Sequence, residues 1–124
     1  MRRHLLLVAI ALVAAAPTGS AHHPFGTYDL DREIAVIGEV VRATYGEPHS
    51  FLHVREVAAD GKDTVWIAEL RGAGTLRARG LTPQTLKAGE RVTLRGHPGR
   101  VAAERRLWLR VIVRARDGWT WSAP

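Results

Sequence analysis

The segment IAVIGEVVRATY, residues 34–45, predicts the first β-strand of the fold. Half of its residues are β-branched, which favours a β-strand. Gly38 stands in the middle, where a glycine often marks a bulge or a tight bend. A strand that bends in this way can curl enough to pair with a neighbour on each side. Gly46 and Pro48 then end the run.

Four later segments also have the alternation or the β-rich composition of strands. They are residues 50–57, 64–70, 91–96 and 107–113, with Asp60-Gly61 as a hairpin turn between the first two. Val92 and Leu94 are predicted to point inward in the third of these segments. In the last segment, the alternation predicts inward Leu107, Leu109, Val111 and Val113, and outward Trp108, Arg110 and Ile112.

The region between the third and fourth strands has helical signals. Residues 73–79 predict a short helix that Gly80 ends, and Thr82 and Pro83 predict a second helix start, as N-cap and first helical residue. The order of elements predicts a mainly β protein, a small five-stranded OB-like barrel with one short helix between strands three and four. An SH3-like barrel or a small open sandwich is the competing fold.

The first 21 residues have the three regions of a secretory signal peptide. Arg2 and Arg3 precede an apolar run, residues 5–16, that is too short to span a bilayer. Small residues follow, and cleavage is expected after Ala21, with Ser20 as the alternative. We therefore expect a periplasmic or secreted protein without a transmembrane segment after cleavage, divided into a signal peptide (1–21), an N-terminal arm (22–33) and the barrel (34–124).

Composition limits the chemistry of the mature chain. The sequence has no cysteine, which excludes disulfides, thiolate metal sites and thiol nucleophiles. The formal charge of +6 falls to +4 when the signal peptide removes its two arginines. A basic protein suits an anionic surface or an acidic protein partner, although a solvated basic surface is the simpler interpretation. Nucleic acid is not an expected partner, because the protein is expected to be exported and its arginines are scattered.

The predicted cleavage site would place His22 and His23 at the N-terminus of the mature protein, where they could bind a metal ion. If His22 becomes the N-terminus, its amine and imidazole can chelate one metal ion, and another histidine can complete a three-nitrogen site. Such nitrogen ligands suit Cu(II) best among the first-row divalent metals. If cleavage follows Ser20 instead, His23 becomes the third residue, a position that also binds Cu(II) tightly. An exposed polar arm without metal is the alternative interpretation.

Three further histidines lie in the barrel. His49 stands at the corner before the second strand and could meet the arm. His53 shares its strand face but lies roughly 13 Å further along, too far for both to bind one ion. We interpret His53 as a surface residue and His97 as a turn residue. The predicted metal ligands are therefore His22, His23 and His49, with copper as the candidate cofactor.

No catalytic motif is present, so the sequence does not predict an enzyme. Separate glutamates such as Glu69 are interpreted as solvated or salt-bridged strand residues. Four tryptophans are expected to serve packing: Trp66 under the helix, Trp108 with the tail, and Trp119 and Trp121 over one end of the barrel.

Short motifs in a fixed order run through nearly the whole mature chain. They are residues 21–25 (AHHPF), 38–40 (GEV), 47–49 (EPH), 66–69 (WIAE), 76–81 (LRARGL), 86–92 (LKAGERV) and 96–98 (GHP). In the order of these motifs, the chain resembles a family of small exported bacterial proteins of unknown function with an A-H-H-S-F mature start and an N-P-H corner. Pro24 stands where that family has Ser, and Glu47 where it has Asn. The resemblance implies that His22, His23 and His49 form one recurring set, and it brings no established activity.

Two functional hypotheses follow from the sequence. The first is a periplasmic protein that binds copper or another transition metal through His22, His23 and His49. The second is a non-catalytic OB-like module that binds an exported protein, a glycan or an anionic surface. An oxidative copper enzyme is a third hypothesis that depends on the first.

Overall fold

The computed structural model describes residues 26–124. The predicted signal peptide and residues 22–25 of the predicted arm lie outside the described residues. Within the described part, no helix is long and apolar enough to cross a membrane. The elements are β1 (Ile34–Thr44), β2 (His49–Val57), β3 (Asp63–Arg71), α1 (Ala73–Ala78), β4 (Arg91–Pro98), β5 (Arg106–Arg114) and β6 (Thr120–Ser122).

The first five strands form a closed barrel. β1 pairs antiparallel with both β2 and β4, β2 pairs with β3, and β4 pairs with β5. A short parallel pairing between β3 and β5 closes the ring. The structure thus confirms the predicted mainly β fold, with five barrel strands and one short helix between β3 and β4. The additional strand β6 pairs with the second half of β5.

The barrel encloses one apolar core. Its members come from all five barrel strands, from α1, from the segment after α1 and from β6. The buried apolar side chains of this cluster are Val36, Val40, Leu52, Val54, Trp66, Ala68, Leu70, Leu76, Leu81, Leu86, Val92, Leu94, Leu107, Leu109, Ile112 and Trp121.

Gly38 lies where β1 passes closest to β2. A Cβ atom at this position would collide with the backbone carbonyl of Arg55, so the close approach of the two strands requires glycine. The bulge itself lies further along, where the β1–β2 register shifts between Val40 and Arg42. Gly38 therefore permits the double pairing of β1, while the bend expected there occurs three residues later.

The predicted orientation of β5 is right in its first half and wrong in its second half. Leu107 and Leu109 are buried as expected, but Ile112 is fully buried while Val111 and Val113 are only partly covered. The register against β4 shifts between Arg95 and Gly96, which leaves one extra residue on β5, Arg110. Because side chains alternate with a period of two, this bulge exchanges the two faces of the strand beyond it.

The second predicted helix start is also wrong. After α1, Gly80 adopts a positive φ of 79°, and residues 81–90 form turns rather than a helix. The Thr82 hydroxyl accepts a hydrogen bond from the backbone of Gln84 at 3.3 Å, as a turn-forming residue does. The turns of this segment insert both Leu81 and Leu86 into the core.

The tryptophans of the core differ partly from the predicted arrangement. Trp66 lies in the first half of β3, away from α1, where its Nε1 donates to Glu56 at 2.6 Å and the Arg105 guanidinium covers its ring. The expected position under the helix is thus wrong, because α1 follows the other end of β3. In the tail, Trp121 is buried in the core and Trp119 packs against it.

The arm docks onto the end of β4. β4 is two residues longer than predicted and includes His97, which is therefore a strand residue and not a turn residue. Tyr28 forms an isolated bridge with Gly99, and the backbone of Asp29 donates to the carbonyl of Pro98 at 2.9 Å. These contacts fix the described part of the arm against the outside of the barrel.

Candidate functional site

A buried carboxylate lies on the outer face of the barrel. Glu69 points away from the core, since its neighbours Ala68 and Leu70 point into it. Its pairing partners are Phe51 on β2 and Trp108 on β5. The side chain is nevertheless only 5% exposed, because other side chains cover it from outside. A charged group in such a position requires partners for its oxygen atoms.

Three side chains bond the Glu69 carboxylate. The Nδ1 atom of His49 lies 2.6 Å from Oε1. The hydroxyl of Tyr28 donates to Oε2, and Nη2 of Arg106 lies 3.1 Å from the same oxygen. Arg106 also donates through Nε to the Tyr28 hydroxyl at 3.4 Å. The four residues form one hydrogen-bonded network, called the Glu69 cluster below.

The Tyr28 hydroxyl remains a hydrogen-bond donor throughout the physiological pH range. Burial, reinforced by the hydrogen bond to Glu69, raises the pKa of Tyr28 to about 12. The pKa of Arg106 is raised above its ordinary value, mainly by the hydrogen bond between Arg106 and Tyr28. Tyr28 and Arg106 therefore keep fixed protonation states, and their role in the cluster is to hold the carboxylate in place.

Trp108 covers the cluster from the side. Its ring centroid lies 5.9 Å from that of Tyr28 and 6.2 Å from that of His49, in an edge-on arrangement with the histidine. Trp108 was expected to pack with the tail, and this is wrong: it joins the arm to the corner before β2. Its position follows from its outward orientation on β5, which the first half of the strand retains.

The His49 ring is held in a defined orientation, because Glu69 bonds one of its two nitrogen atoms. Glu69 bonds Nδ1, so in the neutral imidazole the proton lies on Nδ1 and the lone pair on Nε2. The side chain is 30% exposed, and within residues 26–124 no side chain bonds Nε2. A histidine whose second nitrogen is bonded by a carboxylate is the usual arrangement of a metal ligand.

The predicted metal ligands are only partly within the described residues. His49 belongs to the Glu69 cluster, whereas His22 and His23 lie outside the described residues. Between residues 26 and 124, no group of three or more His, Cys, Asp or Glu side chains could hold a metal ion. Residues 26–124 thus provide one oriented imidazole, and a metal site at this position would need further ligands.

The other two barrel histidines lie apart from this cluster. His53 has its Nε2 3.3 Å from the Arg42 guanidinium, and its Nδ1 is buried without a hydrogen-bond partner. Burial, followed by the charge of Arg42, lowers the pKa of His53. His97 is bonded through Nδ1 to the backbone carbonyl of Arg32 at 2.8 Å. The structure therefore groups neither of them with His49.

Sequence reasoning did not identify Glu69, Tyr28 and Arg106 as a set, because Tyr28 and Glu69 are 41 residues apart. The position of Glu69 at the end of the WIAE motif was the available signal. Sequence reasoning also assigned no role to Glu47, whose carboxylate accepts a hydrogen bond from the backbone of Gly74 at 2.8 Å. Glu47 thereby connects the corner before His49 to α1.

Comparison with known proteins gives a family but no activity. The model of a family described as "Family of unknown function (DUF6152)" matches residues 9–107, which is most of the chain and includes the arm, the corner at His49 and Glu69. No curated protein matches the chain.

Proposed function

The chain belongs to the DUF6152 family of unknown function, and we propose that it is an exported protein that binds one Cu(II) ion through His22, His23 and His49. The observation that supports this proposal is the hydrogen bond between Glu69 and His49. It leaves Nε2 of His49 as the donor atom and fixes the direction of the ring. The same carboxylate also bonds Tyr28, the residue that brings the arm to this point.

The donor set fits a copper ion chemically. Removal of residues 1–21 would give His22 a free amine beside its own imidazole, and His49 would supply a third nitrogen. Neutral amine and imidazole nitrogens suit Cu(II). If cleavage followed Ser20 instead, the free amine, two backbone amides and the His23 imidazole would bind Cu(II) tightly. Both alternatives use the segment that the Glu69 cluster attaches to the barrel.

The arm is long enough to reach His49. Tyr28 lies six positions after His22, and an extended chain of that length spans at most about 20 Å. The rings of Tyr28 and His49 both contact Trp108, at 5.9 and 6.2 Å between centroids. The terminal histidines therefore need only fold back along the arm to meet the imidazole of His49.

The test is a Cu(II) titration, by calorimetry and by electron paramagnetic resonance, of protein that begins at His22. We expect one tight site, which weakens strongly when an extra residue precedes His22 and separates the free amine from that imidazole. His49→Ala should weaken binding, and Glu69→Gln should weaken it by about 10-fold or more because the ring loses its negatively charged partner. His53→Ala is the matched control and should change little.

Acidification should weaken the site, because protons compete for the amine and the imidazoles. Equal affinity of the native and extended starts would show that the free amine is not a ligand. Equal affinity of the His49→Ala and unaltered proteins would show that the barrel does not take part. Either result would contradict the proposed site and favour the second hypothesis, an OB-like module that binds an exported protein, a glycan or an anionic surface.

A further inference from the structure

Arg106, a member of the Glu69 cluster, also lines a cavity. A cavity of about 240 Å³ opens between the turn of the arm and the connection from β4 to β5. Its lining includes Trp66 and, from the two surrounding segments, Asp29, Arg32, Arg100, Arg105 and Arg106. We call this space the arginine cavity. Its four arginines come from sequence positions up to 74 residues apart, so only the fold brings them together.

Three of these arginines have no acidic partner within the described residues 26–124. Arg106 is bonded to Glu69, but among residues 26–124 no ion pair is formed by Arg32, Arg100 or Arg105. The residues before Gly26 cannot supply one, because residues 1–25 contain no Asp or Glu. The single acidic residue in the described lining is Asp29, whose Oδ1 accepts a hydrogen bond from the backbone of Asp31 at 3.3 Å. The cavity therefore carries an excess of positive charge.

The walls of the cavity are held in place by backbone and ring contacts. The backbone of Arg100 donates to the carbonyl of Thr27 at 2.9 Å, which joins the β4–β5 connection to the arm. The Arg105 guanidinium lies over the Trp66 ring, 5.6 Å from its centroid. The backbone of these segments is therefore fixed before any ligand binds, which reduces the ordering needed on binding.

We propose that the arginine cavity binds a small phosphate monoester. Arginine forks bond phosphate oxygens in pairs, and a monoester carries about −1.5 to −2 charges at pH 7, which matches three unpaired arginines better than a single carboxylate does. The volume is below the roughly 300–1,000 Å³ of pockets for drug-sized ligands, so the organic part of the ligand is short. The phosphate comes either from a soluble ester or from the headgroup of a phosphatidic acid lipid.

The test measures binding of glycerol phosphate and of inorganic phosphate by calorimetry and by Trp fluorescence, with succinate as the carboxylate control. Arg32→Gln and Arg100→Gln alter exposed side chains, and each should weaken phosphate binding by about 10-fold or more. Arg79→Gln, after α1 and outside the cavity, removes the same charge and should change the affinity less than twofold. His49 does not line the cavity, so His49→Ala should change phosphate binding less than Arg100→Gln does, which separates this site from the metal site.

Vesicles distinguish the two sources of phosphate. Flotation with vesicles of phosphatidylcholine containing phosphatidic acid, compared with phosphatidylcholine alone, tests the headgroup. Binding of glycerol phosphate without flotation identifies a soluble ester, and flotation that Arg100→Gln abolishes identifies the lipid. The proposal is overturned if no phosphate probe binds, if succinate binds as tightly, or if Arg79→Gln weakens binding as much as Arg100→Gln.

Discussion

The two faces of β3 bury their side chains by different means. On the inner face, Ala68 and Leu70 are covered by the opposite wall of the barrel. On the outer face, Glu69 is equally buried but is covered by Tyr28 from the arm and by Arg106 and His49 at its sides. The inner face needs only apolar side chains of suitable size, whereas the outer face needs particular donors at particular atoms.

This difference implies two kinds of sensitivity to mutation. Apolar burial is non-directional, so the inner face should respond to the volume that a substitution removes. A buried carboxylate is stable only while its partners remain, so the outer face should respond to the loss of a single atom or charge.

The largest effect is expected in the core on both sides of the β5 bulge. Leu109→Ala and Ile112→Ala should each lower the free energy of unfolding by about 2–5 kcal/mol, because each removes buried methyl groups and leaves a cavity. Chemical denaturation of the variants measures this directly.

Val111→Ala is the control for the strand orientation. Val111 is only partly covered, so its truncation should cost clearly less than that of Ile112, about 1 kcal/mol or below. A larger cost for Val111 than for Ile112 would mean that the bulge at Arg110 is absent in solution and that the alternation continues unbroken.

The next effect concerns the charge of the outer cluster. Glu69→Gln keeps the shape of the side chain but removes the charge that bonds Arg106 and His49. We expect a loss of about 1–3 kcal/mol at pH 7, since the partners are themselves partly exposed and can be hydrated again. Glu39→Gln removes an exposed ion pair with Arg55 and should cost less than about 1 kcal/mol. Equal costs would show that the burial of Glu69 contributes nothing.

The barrel could be predicted from the sequence because its determinants are local. Period-two alternation identified Val92 and Leu94 as inward residues, and Asp60-Gly61 identified the β2–β3 turn. The errors came where a single residue alters the pattern. The extra Arg110 reverses the faces of β5, and such an insertion is not visible until the register against β4 is known.

The site could be predicted only where one residue carried the signal. His49 stood out by itself at the corner before β2, and the structure gives it an oriented ring. Glu69 did not stand out, because an acidic residue in a strand is ordinarily solvated. Its burial depends on Tyr28 and Arg106, at separations of 41 and 37 residues, and no periodic pattern relates residues so far apart.

The smallest effect is expected from the hydroxyl that joins the arm to Glu69. Tyr28→Phe keeps the ring against Trp108 and removes one hydrogen bond, so it should cost about 0.5–1.5 kcal/mol at pH 7. Tyr45→Phe is the matched control, because the Tyr45 hydroxyl donates to the backbone carbonyl of Thr82 at 2.9 Å and has no carboxylate partner.

The pH dependence distinguishes the role of Tyr28 from a general effect of losing a hydroxyl. The folded-state pKa of about 12 lies above the ordinary value of 10.0, so folding favours the protonated phenol. The stability that this provides is fully present below pH 10 and is lost as the pH rises from 10 to about 12. The stability difference between the unaltered protein and Tyr28→Phe should therefore shrink over that interval in denaturation curves measured from pH 8 to 12. For Tyr45, whose pKa is also raised by burial but without a neighbouring carboxylate, the difference should shrink less. A difference for Tyr28 that stays constant up to pH 12 would mean that its hydroxyl is neither buried nor bonded to Glu69, and that the arm is held by its ring alone.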